Sequence, residues 1–303
     1  MGLTGARRGH NEIVGAQDAA DRVRRRIGGA IFELVAGPPT PSRGRLIRAP
    51  GERWFAEDRP IRRVHGDSAM FVGGIRALLL QSLHPLAMAA MAEHSDYRGD
   101  PWGRLQRTGH FVGITTFGRE SDAHEAIARV QAIHERVTGI APDGRPYAAS
   151  GPHLLTWVHL AEVDSFLAAY NAFGRHRLDQ AGRDGYVADM ARIGAALGVP
   201  DPPMVQAELA SRIEGYRGEL AATPASREAA RFLLLQPPLP AIARAPYGVL
   251  AAAAVSLLPG WARPLFRLPR LPVTETLLVR PAGQAVIQAI RWATTAPRPA
   301  PAA

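Results

Sequence analysis

From Ser68 to Met91 the chain is apolar nearly all round, broken by Arg76, Gln81 and His84, and His84 is followed at once by Pro85. A helix without a polar face belongs in a protein core or a membrane. Here the polar residues and the proline fall at the centre of the would-be span, where each would be costly in hydrocarbon. The stretch therefore predicts a central buried helix, kinked or ended at His84-Pro85 because proline cannot donate its backbone hydrogen bond. His84 then reads either as a core histidine with a hydrogen-bond partner or as a group facing a cofactor pocket.

Around that helix the patterning is helical throughout. No run of alternating apolar and polar residues is long enough to argue for a sheet. A first amphipathic helix is predicted from Gln17 to Val35, with Arg22, Arg24, Arg25 and Arg26 on one side and Ile27, Ile31, Phe32 and Leu34 as apolar surface. After Gly37-Pro38-Pro39, the segment from Pro38 to Pro60 reads as an ordered loop wrapped on the domain, with Trp54 and Phe55 to pin it. Further on, Ser150 and Pro152 mark the start of a helix running to Phe173, with Leu155, His159, Val163, Phe166 and Tyr170 on one face. Helices follow from Gly185 to Leu197, Pro203 to Leu220, Ser226 to Leu235 and Ala282 to Ala293. The organisation expected is all-α: an N-terminal helix and wrapping loop over 1–60, one large helical domain over 61–296, and a disordered Pro/Ala tail over 297–303. Residues 239–268, alanine-rich and then arginine-studded, read as packed on the bundle, with peripheral membrane contact as the rival.

The chemistry concentrates in PWGRLQRTGHFVGITTFGRESDAHEAIARVQAIHERVTG, from Pro101 to Gly139. Two helices are predicted there. On the first, Arg104, Arg107 and Thr108 stand at i, i+3 and i+4, so two guanidinium groups and a hydroxyl share one face. These arginines read either as functional cations or as a basic face paired with Asp96, Asp100 or Asp122. Ser121 or Asp122 is the expected N-cap of the second helix, with Glu125 closing a capping box. Along it Ile127, Val130, His134 and Val137 form an apolar stripe with an imidazole inside. A histidine in that setting is either a hydrogen-bonded core residue or a metal or haem ligand.

The segments GDPWGRLQRT and VQAIHERVTG, flanked by LLLQSLHPLAMAAMAEHSDY and YAASGPHLLTWVHLAEVDSFLAAY, resemble the haem-dependent oxygenase family of the fungal MpaB enzymes and the bacterial rubber oxygenases, or latex clearing proteins. The likeness runs from Arg62 to Phe173. In rubber oxygenases an R-x-x-K-T face lines the distal side of a b-type haem and a histidine on a later helix binds the iron. The resemblance implies that Arg104 and Thr108 take the distal positions, that Arg107 replaces the lysine, and that His134 is the axial ligand, in an all-helical domain enclosing haem b and an apolar pocket. His84 would face that pocket, and Arg104 and Arg107 would alternatively hold the haem propionates. The implied reaction is dioxygen-dependent oxidation of an apolar small molecule, prenyl or terpenoid-like, with cleavage of a carbon-carbon double bond as one form. Two departures stand out. Met88 occupies the position of the family's basic glutamate, with Glu93 and His94 nearby in another phase, and a guanidinium at Arg107 cannot exchange protons as a buried lysine can.

The remaining composition narrows the alternatives. All 36 basic residues are arginine and the net charge is +9, but they are spread along the chain with no nucleic-acid-binding signature, so no nucleic-acid partner is expected. With no cysteine, thiolate sites and disulfides are excluded. The HExxH, ExxH, GxSxG, Walker A and GxGxxG patterns are absent. The N-terminal stretch has no apolar core of a signal peptide, and Arg7-Arg8 is not followed by a hydrophobic run, which predicts a cytoplasmic protein, unlike the secreted rubber enzymes. The functional alternative from another class is a helical carrier of lipid or apolar ligands without redox chemistry.

Overall fold

A computed structural model describes residues 21–31, 33 and 50–295. The first helix, α1, covers 21–31 of the expected 17–35, while Phe32, Leu34, most of the 38–60 connector and the 297–303 tail lie outside the described residues. After it come α2 (Pro60–His65), α3 (Met70–Gln81), α4 (Pro85–His94), α5 (Pro101–Phe117) and α6 (Glu120–His134). A small antiparallel hairpin, β1 (Thr138–Ile140) with β2 (Pro146–Ala148), precedes α7 (Pro152–Phe173), α8 (Gln180–Leu197), α9 (Gln206–Tyr216), α10 (Pro224–Leu235), α11 (Ala241–Ser256) and α12 (Arg280–Thr294). The fold is all-α apart from that hairpin. Its three-residue strands are too short to show alternation, although the Pro142-Asp143-Gly144 turn between them is a turn signal, with Gly144 at φ +84°.

The apolar stretch forms the centre of the bundle as two helices. Pro85 stands at N1 of α4, and His84 before it is extended at φ −83°, ψ 115°, so α4 leaves α3 at 107°. Among the described residues no single helix is long and apolar enough to cross a membrane, although this bent pair would be by length and composition. α3 lies against α7, and Val72, Ile75, Leu79 and Leu80 of the one and Trp157, Leu160, Val163 and Phe166 of the other are buried in the same apolar core. Gly73 permits the close approach, since a Cβ there would come 2.8 Å from Cδ1 of Phe166. Each fully buried large side chain in this interface contributes about 1.5–3 kcal/mol of transfer free energy.

Two of the three polar residues that break the apolar run, Arg76 and Gln81, are hydrogen-bonded. Arg76, 3% exposed, pairs with Asp164 at 2.7 Å and donates to Ser165 Oγ (2.7 Å) and the Leu257 carbonyl (2.9 Å), joining α3 to α7 and the end of α11. Gln81 donates to the Val158 carbonyl while its own carbonyl accepts from Trp157 Nε1. The free carbonyls at the break are taken by a distant segment: Ala221 N donates to Leu83 O at 2.8 Å and Ser226 Oγ to Ser82 O at 2.6 Å.

Several sequence boundaries shift for local reasons. α7 is capped by Gly151, one residue beyond Ser150, and α8 begins earlier than Gly185 because Asp179 caps it through Gly182 N. α10 begins at Pro224, with Ser226 serving as N3 of a capping box on Thr223. Trp54 and Phe55 are buried as expected. Ile27 is exposed, whereas Gly28 is the buried contact of α1, packed on the Ala293 carbonyl of α12. Within 239–268, Leu250, Ala254, Leu258 and Phe266 are buried, and Arg263 is held by Glu275 at 2.6 Å, so this segment packs on the bundle.

Candidate functional site

α5 and α6 form a helical hairpin whose turn is only Gly118-Arg119. Asp100 caps α5 by accepting from Gly103 N at 2.8 Å, with Pro101 at N1. The cap of α6 is Arg119 rather than Ser121 or Asp122. Asp122 is the third helical residue, takes two 2.8 Å hydrogen bonds from the Arg119 guanidinium and also accepts from its backbone, all of which hold the carboxyl below its usual pKa. The turn is clamped by the 50–59 loop through Glu120 N to Glu52 O (2.9 Å) and Arg53 Nη1 to Phe117 O (2.9 Å). Arg104 stands 13 residues before the end of α5, and His134 stands 14 residues after the start of α6. At ~1.5 Å per residue each lies about 20 Å from the turn along its own helix.

The four residues that sequence places on this hairpin differ in surroundings. Arg104 is half-buried and makes no hydrogen bond or ion pair among the described residues; burial first, then the charge of Arg107, lowers its pKa, yet a guanidinium remains cationic. Arg107 is exposed and donates to Asp100 at 3.1 Å, a surface pair of small energetic weight. Thr108 is exposed. His134 ends α6 half-buried, its Nδ1 enclosed and without a hydrogen-bond partner, and burial lowers its pKa, so the ring is neutral at pH 7. Ile127 of its stripe is in the core and Val130 half-buried, but the helix ends at His134 and Val137 packs instead in a satellite cluster with Tyr147 and Leu154. Gln131 Nε2 donates to the Ala196 carbonyl and anchors α6 on α8.

His84 stands with His153 and Glu219 at the α3–α4 break. Met88 is buried at 1% exposure and has no proton to exchange. Glu93 accepts from the Tyr147 hydroxyl, which lies 3.1 Å from His94 Nε2, so both residues near the expected base position are committed to Tyr147. His159 packs on Gly194, where a Cβ would come 2.7 Å from the ring; its Nε2 is buried without a partner, and burial pushes its pKa down to about 4.

Sequence reasoning missed a second polar group. Burial raises the pKa of Glu162 on α7 to about 7, and its charge acts on Tyr186, whose hydroxyl lies 3.2 Å from His65 Nε2; His65 Nδ1 lies 2.8 Å from Thr116 Oγ1 at the end of α5. Burial pushes His65 down to about 3. A carboxyl that changes charge near neutral pH is suited to acid–base work. Its sequence signal was no more than a glutamate two residues before Asp164 on a largely apolar helix. Because the folded pKa of about 7 exceeds the unfolded value of 4.5, the native state holds the proton more tightly, so this group's favourable effect is full below pH 4.5 and fades as pH rises to 7. His65 and His159, with depressed values, act in the opposite direction. Subtracting the Glu162→Gln stability curve from that of wild type removes the histidine contributions; the difference is expected to fall from pH 4.5 to 7 in urea titrations, and a flat difference would refute the raised pKa.

The fold defines a large helical domain, and comparison with known proteins gives its family. Residues 62–292 match the family described as ER-bound oxygenase mpaB/B'/rubber oxygenase, catalytic domain, and the chain belongs to that family. It is similar to the uncharacterized protein Mb2261 of Mycobacterium bovis and the uncharacterized protein Rv2237 of Mycobacterium tuberculosis, at 30% identity over 101 residues, which is 33% of this chain and 39% of each relative. The chain thus spans about two fifths of the length of the curated relatives it matches. No solved structure matches.

Proposed function

We propose that this chain is a haem b-dependent oxygenase that acts with dioxygen on an apolar prenyl or terpenoid-like small molecule, cleavage of a carbon-carbon double bond being the specific reaction to test. The observation that carries this reading is His134: a neutral imidazole with an enclosed, unpartnered nitrogen, on the helix that follows the one bearing the half-buried Arg104. These residues fit a haem. His134 would donate its imidazole to the iron, and Arg104 would offer its planar fork to a propionate carboxylate or another anionic group at the site. When bound, the haem supplies the redox-active iron at which dioxygen is activated. Arg107 would add a second cation if it exchanges Asp100 for a new partner, and Thr108 a hydroxyl donor. Next to these residues in sequence, Leu105 and Ile133 expose apolar surface, which supports an apolar ligand beside them. Peripheral membrane contact within 239–268 would fall to Ile242, 89% exposed, since most of the segment's other large apolar groups are packed.

The test is an absorption spectrum of protein expressed with haem precursor, before and after dithionite. A Soret band that shifts on reduction is expected; a folded, colourless protein would overturn the reading in favour of the carrier. Arg104→Ala is expected to retain the band and slow oxygen consumption about 10²–10³-fold, the range for losing one electrostatic donor. Equal oxygen consumption would remove Arg104 from the chemistry.

A further inference from the structure

Three segments far apart in sequence meet at the break between α3 and α4. His84 precedes Pro85, His153 lies in the first turn of α7, and Glu219 ends the 3₁₀ turn Arg217–Glu219 that follows α9. Glu219 Oε2 is 2.7 Å from His153 Nε2 and 3.6 Å from His84 Nε2, and the three donor atoms lie within 4.8 Å of one another. The His84 side chain is 1% exposed, and neither of its ring nitrogens has a hydrogen-bond partner. Leaving a buried imidazole unsatisfied is unfavourable. At 3.6 Å the His84–Glu219 contact is too long for a hydrogen bond. It is close to the separation of about 3.3 Å between two donors that each sit 2.0–2.1 Å from one tetrahedral ion.

We propose that His84, His153 and Glu219 form a binding site for a divalent transition-metal ion, with Zn²⁺ the best match to the donors and a fourth position open to solvent. Two imidazoles and one carboxylate are a zinc donor set, and no thiolate or cluster of carboxylates draws the site towards softer or harder ions. Burial keeps the His84 ring neutral, the form a metal requires. An outer layer is in place: the Tyr216 hydroxyl donates to the His153 carbonyl at 2.9 Å, lies 3.3 Å from His153 Nδ1, and its ring stacks on the imidazole at 4.7 Å. Such contacts fix the orientation of a ligating ring. Arg145 is the cation whose charge opposes the site, and its Nη2 and Nε donate to Oδ2 of Asp143 at 2.7 and 3.0 Å. With His153 57% and Glu219 43% exposed, an ion can enter from solvent and reach His84 at the base. The bound ion clamps the break, the start of α7 and the turn after α9, beside the Ala221–Leu83 backbone link. None of the donors is on the α5–α6 hairpin, so the site stands independently of the haem reading.

The test is metal titration of the full chain after chelator treatment. Wild type is expected to take up one Zn²⁺ per chain and, with Co²⁺, to show the intense visible absorption of a tetrahedral site. Glu219→Gln and His153→Asn, both at exposed positions, are each expected to weaken Zn²⁺ binding by more than about 100-fold, beyond the 10–100-fold range typical of outer-layer changes, with unaltered far-UV circular dichroism. No stoichiometric uptake by wild type, or equal uptake by the two variants, overturns the proposal. Soret absorbance of the same samples, prepared with haem precursor, reports haem separately, so failure of either site is distinguished from failure of the other.

Discussion

His134→Ala is expected to abolish haem incorporation and to leave the bundle folded. The residue is the last of α6, alanine is the best helix former, and the half-buried ring removed has an unsatisfied nitrogen, so the change in stability is expected to stay within about 1 kcal/mol. Loss of the donor is a different matter, because His134 is the imidazole that the proposed function gives to the iron. Protein expressed with haem precursor is expected to show no Soret band, with a far-UV spectrum like that of wild type. Added imidazole, which fits the space vacated, is expected to restore part of the absorbance. Full haem occupancy with an unchanged spectrum would reject the axial assignment.

Arg76→Ala is expected to be the most destabilising single change in the central interface, by about 3–5 kcal/mol, as for breaking a buried ion pair. It removes the partner of Asp164 and strands Ser165 Oγ and the Leu257 carbonyl, three groups from two segments that only this guanidinium connects. It also leaves a cavity between α3 and α7. Arg76→Met, which keeps the volume, is expected to recover about half the loss. Urea midpoints of the two variants check this, and a loss under about 1 kcal/mol for Arg76→Ala would show that the network carries little of the stability.

The sequence made the helical architecture and the α5–α6 hairpin legible for one reason: their information is local. Proline at N1 of α4, Asp100 before Pro101, and apolar periodicity along α6 all act within a few residues. The cap of α6 was misplaced because Asp122 has the right residue type for a cap but reaches back from the third position. Arg104, Arg107 and Thr108 were legible as one face, but their different burial was not, since it depends on what covers α5. Glu162 and the His84–His153–Glu219 cluster were out of reach for the same reason in stronger form. Glu162 differs from any surface glutamate only in what surrounds it. The cluster joins residues 69 and 66 positions apart along the chain, separations at which spacing says nothing of contact.

The bend at Ser82-Leu83-His84 has a consequence for the order in which the molecule assembles. Its carbonyls find their donors at Ala221 and Ser226, about 140 residues later, and His84 meets Glu219 in the same region. During synthesis the core helix pair therefore emerges with its corner unsatisfied, long before the segment that completes it. The start of α4, and with it the chain leading into the α5–α6 hairpin, gains its last hydrogen bonds when that late segment docks. Folding of the candidate haem-binding hairpin is thus coupled to a region that contributes no residue to it.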